Sequence, residues 1–258
     1  MLNLSIYNQA LFENYKSNSQ RARVLTENWF NHQMYCPCCL NNNVTSYPNN
    51  KKVYDFLCEK CSADYQLKAS NKKFTTRLLD GTFNTMINAV NQNNAPNFFL
   101  LHYSNEDWQV KNLSLIPKLF ITPTVIEKRN ISYPKGRTNG WTGCNVLLKR
   151  IPEEGNIFVV INEKVIEKEK VNDTWRKMSF LSLKKPNARG WTADVLRCVE
   201  DLKKEEFTLQ DIYKSKDYLK ELYPNNKHVN DKIRQQLQIL RDNNILKFTS
   251  RGNYRLIK

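Results

Sequence analysis

The chain has 258 residues, with 40 Lys and Arg against 25 Asp and Glu, a formal charge of +15 and 40% hydrophobic residues. That length suits two domains with modest cores, and no apolar run approaches the roughly eighteen residues needed to span a membrane, so a soluble, cytoplasmic protein without a membrane partner is expected. So basic a chain gathers polyanions and points to nucleic acid as partner, although biased codon usage also makes chains rich in lysine and asparagine.

In chain order, the first predicted element is a helix capped by Ser19 and running to about His32. Ala22, Leu25 and Trp29 recur at helical spacing on its buried side, with Phe30 beside them. Arg21 and Arg23 then face water or phosphate. Glu27 is the one acid in the middle of this helix able to point at a metal centre, and it is kept as a reserve ligand beside its commoner role as a solvated charge.

Cys36 and Cys39 form one C-x2-C knuckle and Cys58 and Cys61 a second, with eighteen residues between the pairs. This is the spacing of a four-thiolate structural zinc site, in which each pair turns two thiolates toward one tetrahedral ion. The Tyr47-Pro48-Asn49-Asn50 turn lets the intervening segment fold back as a hairpin. Disulfides or a redox pair are the other readings; nothing resembling a secretory signal precedes the cysteines, and two separate pairs suit one ion better. Cys38 is out of step and reads as a spare thiol. Four thiolates leave no open position on the ion, so the zinc holds structure and chemistry has to be sought elsewhere.

Val53 to Leu57 reads as one short strand and Tyr65 to Ala69 as another, with the second knuckle as the turn between them. Alternation then puts Gln66 and Lys68 on one face together with Asp64. Asp55, followed after ten residues by Gln66 and then Lys68, offers hard oxygen ligands and one ammonium. Asp55 and position 66 supply two oxygens for Mg²⁺, the Leu67 carbonyl a third, and Lys68 orients the attacking water, a set suited to phosphodiester hydrolysis. An ordinary hairpin with polar residues on its wet face has the same pattern.

Strands are predicted at Phe98 to Tyr103, Leu113 to Ile116 and Ile157 to Ile161, giving a mixed α/β domain with a central sheet. Before the last of them, the glycines of Lys135 to Asn145 place Trp141 on flexible backbone near Arg137. There Trp141 stacks on a base or contacts a methyl group, or else covers the edge of the core.

A composition break at Lys184 to Gly190 divides the chain into residues 1–185, the zinc-containing domain, and 186–258, whose pattern is a winged helix-turn-helix. Three helices are predicted there: Trp191 to Leu202, one capped by Thr208 through Tyr213, and His228 to Arg241. The third, with Ile233, Leu237 and Leu240 on one stripe, is the recognition-helix candidate. Lys232, Arg234, Gln235, Gln236 and Gln238 are its expected exposed positions, glutamine being suited to a bidentate contact with adenine. Ile245 to Phe248 and Tyr254 to Ile257, joined by the Ser250-Arg251-Gly252-Asn253 turn, form the wing, where Arg251 and Arg255 meet phosphates or the minor groove. A helical protein-interaction module is the alternative.

Several segments together resemble the DpnI-type restriction endonucleases. They are Tyr15 to Gln20, Leu25-Thr26-Glu27, the two knuckles, Asn97-Phe98-Phe99, Gly140-Trp141, Gly143-Cys144-Asn145, Arg189-Gly190-Trp191-Thr192 and Lys232 to Asp242. The resemblance implies a PD-(D/E)xK nuclease core joined to a winged helix. It also implies Mg²⁺-dependent cleavage of both strands of DNA at G-A-T-C with adenine methylated on its exocyclic amine, both domains reading the methylated site. In that family the metal-binding acid and its lysine fall on Asp55 and Lys68, and the methyl-sensing tryptophan on Trp141. The family pattern has glutamate where this chain has Gln66, so a tolerated variant, rescue by Asp64 or Glu27, and an inactivated centre compete. The leading expectation is a monomeric methyl-dependent endonuclease using zinc and Mg²⁺; the rivals are a silent reader of methylated DNA and a zinc-containing transcription regulator.

Overall fold

The computed structural model describes residues 2–7, 17–48, 53–129 and 142–257. Among them the chain divides by compactness into two units, one of residues 1–75, 94–118 and 154–178, the other of 76–93, 119–153 and 179–258. The division expected from sequence, at 185/186, follows the chain and groups these segments differently.

The first unit is built on a seven-stranded sheet in the order Thr45–Ser46, Phe56–Leu57, Asp64–Ser70, Asn97–Tyr103, Val110–Ile116, Ile157–Ile161 and Lys164–Val165. Only Asp64–Ser70 and Asn97–Tyr103 run parallel, with Tyr65 opposite Asn97 and Lys68 opposite Leu100. The Asn97–Tyr103 strand reads Asn-Phe-Phe-Leu-Leu-His-Tyr with nearly every side chain buried, as a strand covered on both faces requires. The helix Asn18–Gln33 sets Leu25, Trp29 and Phe30 into the same core as Phe56, Tyr65 and Phe99. The Phe30 ring lies 4.5 Å from Phe56 and 4.8 Å from Phe99, so truncating Phe30 to alanine would cost about 3–5 kcal/mol. The helix cap is Ser17, whose hydroxyl accepts from the Gln20 amide, and not Ser19, because the helix begins two residues earlier than its apolar periodicity. The first predicted strand shrinks to Phe56–Leu57, since Val53 has φ of 78°. Pairing nevertheless reaches Asp55, whose amide donates to the Tyr65 carbonyl and whose carbonyl accepts from Tyr47.

The second unit holds two three-stranded antiparallel sheets. One orders Leu78–Thr82, Gly143–Val146 and Ile126–Lys128. The other orders Glu206–Thr208, Asn253–Leu256 and Leu246–Ser250, the wing, whose turn passes through Gly252 at φ of 76°. Thr208 caps Leu209–Tyr213 in a reciprocal capping box with Asp211. The recognition helix is Val229–Asp242, with His228 at its cap. Another helix, Lys216–Leu222, precedes it and was not expected.

The helix expected from Trp191 starts earlier, at Pro186, and is not amphipathic: Arg189 through Leu196, Cys198 and Val199 are all buried. Buried Arg189 donates to Asn93 Oδ1 at 2.7 Å and to the Lys184 carbonyl. Glycine is required at 190, where a Cβ would meet the Tyr223 hydroxyl at 2.8 Å. That hydroxyl donates to Asp194 Oδ2 at 2.6 Å while the Tyr223 ring stacks on Trp191.

Gln236 is also corrected: it is buried, its Oε1 accepting from the Thr192 hydroxyl at 2.8 Å. Its position, three after Ile233 and four before Leu240, puts it on the stripe of Val229, Ile233, Leu237 and Leu240. Arg234, Gln235 and Gln238 are exposed and Lys232 is half-buried. No helix among the described residues is long and apolar enough to cross a membrane.

Candidate nuclease and metal centres

Cys36, Cys39, Cys58 and Cys61 converge, their sulfurs all within 4.8 Å of one another. The Cys36–Cys61 and Cys39–Cys58 separations of 3.5 and 3.6 Å approach the edge of a zinc–thiolate tetrahedron, about 3.8 Å for a 2.3 Å Zn–S bond. The donor set therefore fits a structural metal such as zinc. Around it, the Tyr65 hydroxyl donates to Cys36 Sγ at 3.0 Å and Asn41 Nδ2 approaches Cys58 Sγ at 3.7 Å. Buried Asn172 donates to the carbonyls of Pro37 and Cys38, holding the first knuckle from outside. Hydrogen bonding from Cys38, and then from Tyr65, holds the Cys36 thiol well below its usual range. Cys38 is not one of the four converging thiols, although its own thiol hydrogen-bonds with Cys36 and Cys61.

A cleft of about 470 Å³ is lined by Asp55, Gln66, Leu67 and Lys68 and by one face of the Asn18–Gln33 helix. That face consists of Ser19, Ala22, Arg23, Thr26 and Glu27, spaced as consecutive turns. Asp55 Oδ2 accepts from the Leu67 amide at 2.9 Å, which fixes the carboxylate against the neighbouring strand. Burial pushes the Asp55 carboxyl above its usual range and nearby Glu27 adds to this, while the Leu67 amide, Lys68 and Arg23 oppose it. Gln66 Oε1 is buried in the cleft wall with no hydrogen-bond partner. An orphaned buried acceptor costs about 1–3 kcal/mol unless something ligates it, so Asp55 and Gln66 fit a hard cation as oxygen donors. Lys68 lies across the same cleft, its ammonium 6.0 Å from the centre of the Phe98 ring.

The two other acids considered from sequence part company here. Glu27 faces the cleft and pairs with Arg23 at 2.8 Å. Asp64 is absent from the cleft lining, and its Oδ1 accepts from the Tyr47 hydroxyl at 2.6 Å. Arg23, Thr26 and Ser19 were not singled out as cleft residues, although the recurrence at 19, 22, 23, 26 and 27 was there to find. In the wing, Arg251 is exposed, Arg255 pairs with Glu206, and Arg234 on the recognition helix pairs with Asp231. Arg137, Trp141 and the Asn49-Asn50 part of the first turn lie outside the described residues.

Two family models match this chain. Residues 2–184 match the DpnI model, described as the Dam-replacing family, and residues 187–256 match the DpnI_C model, the Dam-replacing HTH domain. With a mixed α/β sheet core, a four-cysteine metal cluster and a C-terminal helix-turn-helix segment, the chain belongs to the DpnI Dam-replacing family of methyl-directed restriction endonucleases.

Proposed function

We propose that this protein is a methyl-dependent type II endonuclease that hydrolyses both strands of DNA at G-A-T-C sites with methylated adenine. Residues 1–185 form the catalytic domain and 186–258 the DNA-binding domain, acting as a monomer in the cytoplasm. The observation that carries this reading is the unpartnered Gln66 Oε1 in a cleft shared with Asp55 and Lys68. Mg²⁺ bound there supplies Lewis-acid stabilisation of the phosphate and activation of water.

Asp55 would hold the ion through the carboxylate oxygen not committed to the Leu67 amide, with Gln66 and the Leu67 carbonyl as further oxygen donors. Lys68 orients the attacking water and offsets charge developing on the phosphate. Zinc at Cys36, Cys39, Cys58 and Cys61 holds the strand pair in place. Lys232, Arg234, Gln235 and Gln238 supply major-groove contacts, Arg251 and Arg255 backbone contacts, and Trp141, near Arg137, the methyl sensing.

Neutral glutamine at position 66 favours a second reading, a reader of methylated DNA with a silent centre. The two are separated by incubating one plasmid, adenine-methylated or unmethylated, with the protein and Mg²⁺ or Mn²⁺, and by measuring binding in parallel. Discrete fragments from the methylated plasmid alone support the endonuclease. Intact plasmid with retained methyl-selective binding supports the silent reader.

A further inference from the structure

The missing carboxylate at position 66 leaves a charge deficit. Asp55 and Lys68 cancel, and neutral Gln66 gives a dication no net attraction in a cleft that must also receive a phosphate. Glu27 is the other acid in the cleft lining, set there by the helix face that also presents Ser19, Ala22, Arg23 and Thr26. The two carboxylates therefore line one cleft, Asp55 from the sheet side and Glu27 from the helix. Asp64, the alternative donor, faces away to Tyr47.

Resting on the nuclease reading, we propose that Glu27 supplies the second carboxylate of the metal centre, replacing in charge what Gln66 lacks, and that Arg23 is thereby released to the substrate phosphate. The release is inexpensive. The Arg23–Glu27 pair is solvent-exposed, with side chains 72% and 40% accessible, and such pairs contribute only about 0–1 kcal/mol. Arginine N-terminal to glutamate is moreover the weaker order for an i,i+4 pair. With Glu27 on the ion, the carboxylates of Asp55 and Glu27 together match the dication's two charges, and Arg23, like Lys68, is left for the substrate as a bidentate donor for a phosphate oxygen pair. Gln66 then acts as a neutral oxygen ligand, its orphaned Oε1 satisfied by the cation.

The test is Mn²⁺ binding to the zinc-loaded full chain, read as loss of the free-ion electron paramagnetic resonance signal, in wild type and in Glu27→Gln, Asp64→Asn, Asp55→Asn and Gln66→Glu variants. Zinc content and thermal midpoint are checked for each. Glu27→Gln is expected to weaken Mn²⁺ by at least the roughly tenfold that loss of an outer-shell partner costs, and Asp64→Asn to leave it unchanged. Gln66→Glu added to Glu27→Gln is expected to restore binding, because either acid suffices for the charge. Wild-type affinity in Glu27→Gln, with Asp55→Asn impaired, overturns the role of Glu27 and leaves the nuclease reading standing. Equal Mn²⁺ binding by wild type and Asp55→Asn, at any level, overturns both.

Discussion

The hydroxyl of Tyr65 lies 3.0 Å from Cys36 Sγ, so the strand that carries Gln66 and Lys68 is tied to the cysteine cluster by its own second residue. The neighbouring side chain, Gln66, faces the cleft. Metal retention and cleft geometry therefore share one strand. Tyr65→Phe removes a donor to a thiolate and is expected to weaken zinc binding about 10- to 100-fold, measured by competition with a chromogenic chelator. Unchanged zinc affinity would show that the hydroxyl does not support the site.

Gln66→Glu places a charged ligand on a wall that now holds an unsatisfied amide oxygen. Cleavage of methylated plasmid at limiting Mg²⁺ is expected to rise, with little change at saturating Mg²⁺. The check is an initial-rate titration with Mg²⁺, and a fall in rate at every concentration would contradict a metal-binding role for position 66.

Two glutamines on the recognition helix, two residues apart, should behave differently. Gln236→Ala removes a buried acceptor and leaves the Thr192 hydroxyl only the Ala188 carbonyl at 3.2 Å, and is expected to cost about 1 kcal/mol of stability in denaturant unfolding. Gln238→Ala, at an exposed position, is expected to leave stability within about 0.5 kcal/mol and to weaken specific DNA binding. Equal stability losses would refute the burial assigned to Gln236.

Asp194 gives the second unit a pH signature. Burial raises its carboxyl to about 6, against opposing hydrogen bonds from Tyr223 and Thr124. The unfolded value is about 3.9, so the folded state holds this proton more tightly and stability falls as pH rises from about 4 to about 6. Above that window the cost is constant at about 3 kcal/mol. In Asp194→Asn this contribution is gone, and the variant's stability relative to wild type should increase with pH across the window. A difference independent of pH would show that Asp194 does not titrate with folding.

The cysteine cluster was legible in the sequence because its information is local: each C-x2-C turn converges two sulfurs whatever surrounds it, and one hairpin brings the pairs together. The capping box at Thr208 and the wing turn at Gly252 were local in the same way. Asp55, Gln66 and Lys68 could be grouped because strand alternation and a short connection left few arrangements open. The short strands Leu78–Thr82 and Ile126–Lys128 escaped notice because their partner, Gly143–Val146, lies far along the chain, and pairing rather than local preference defines them.

The sequence by itself determined the convergence of the four cysteines, the wing hairpin and the grouping of Asp55, Gln66 and Lys68 in one cleft. Tertiary structure decided which acid shares the cleft with Asp55, because helix packing turns Glu27 toward that cleft while Asp64 is bonded to Tyr47 outside its lining. It also decided that Gln236 serves the core, where its Oε1 accepts from the buried Thr192 hydroxyl. Periodicity names the face a residue occupies, but only the packed neighbour determines whether that face meets water, a ligand or another side chain.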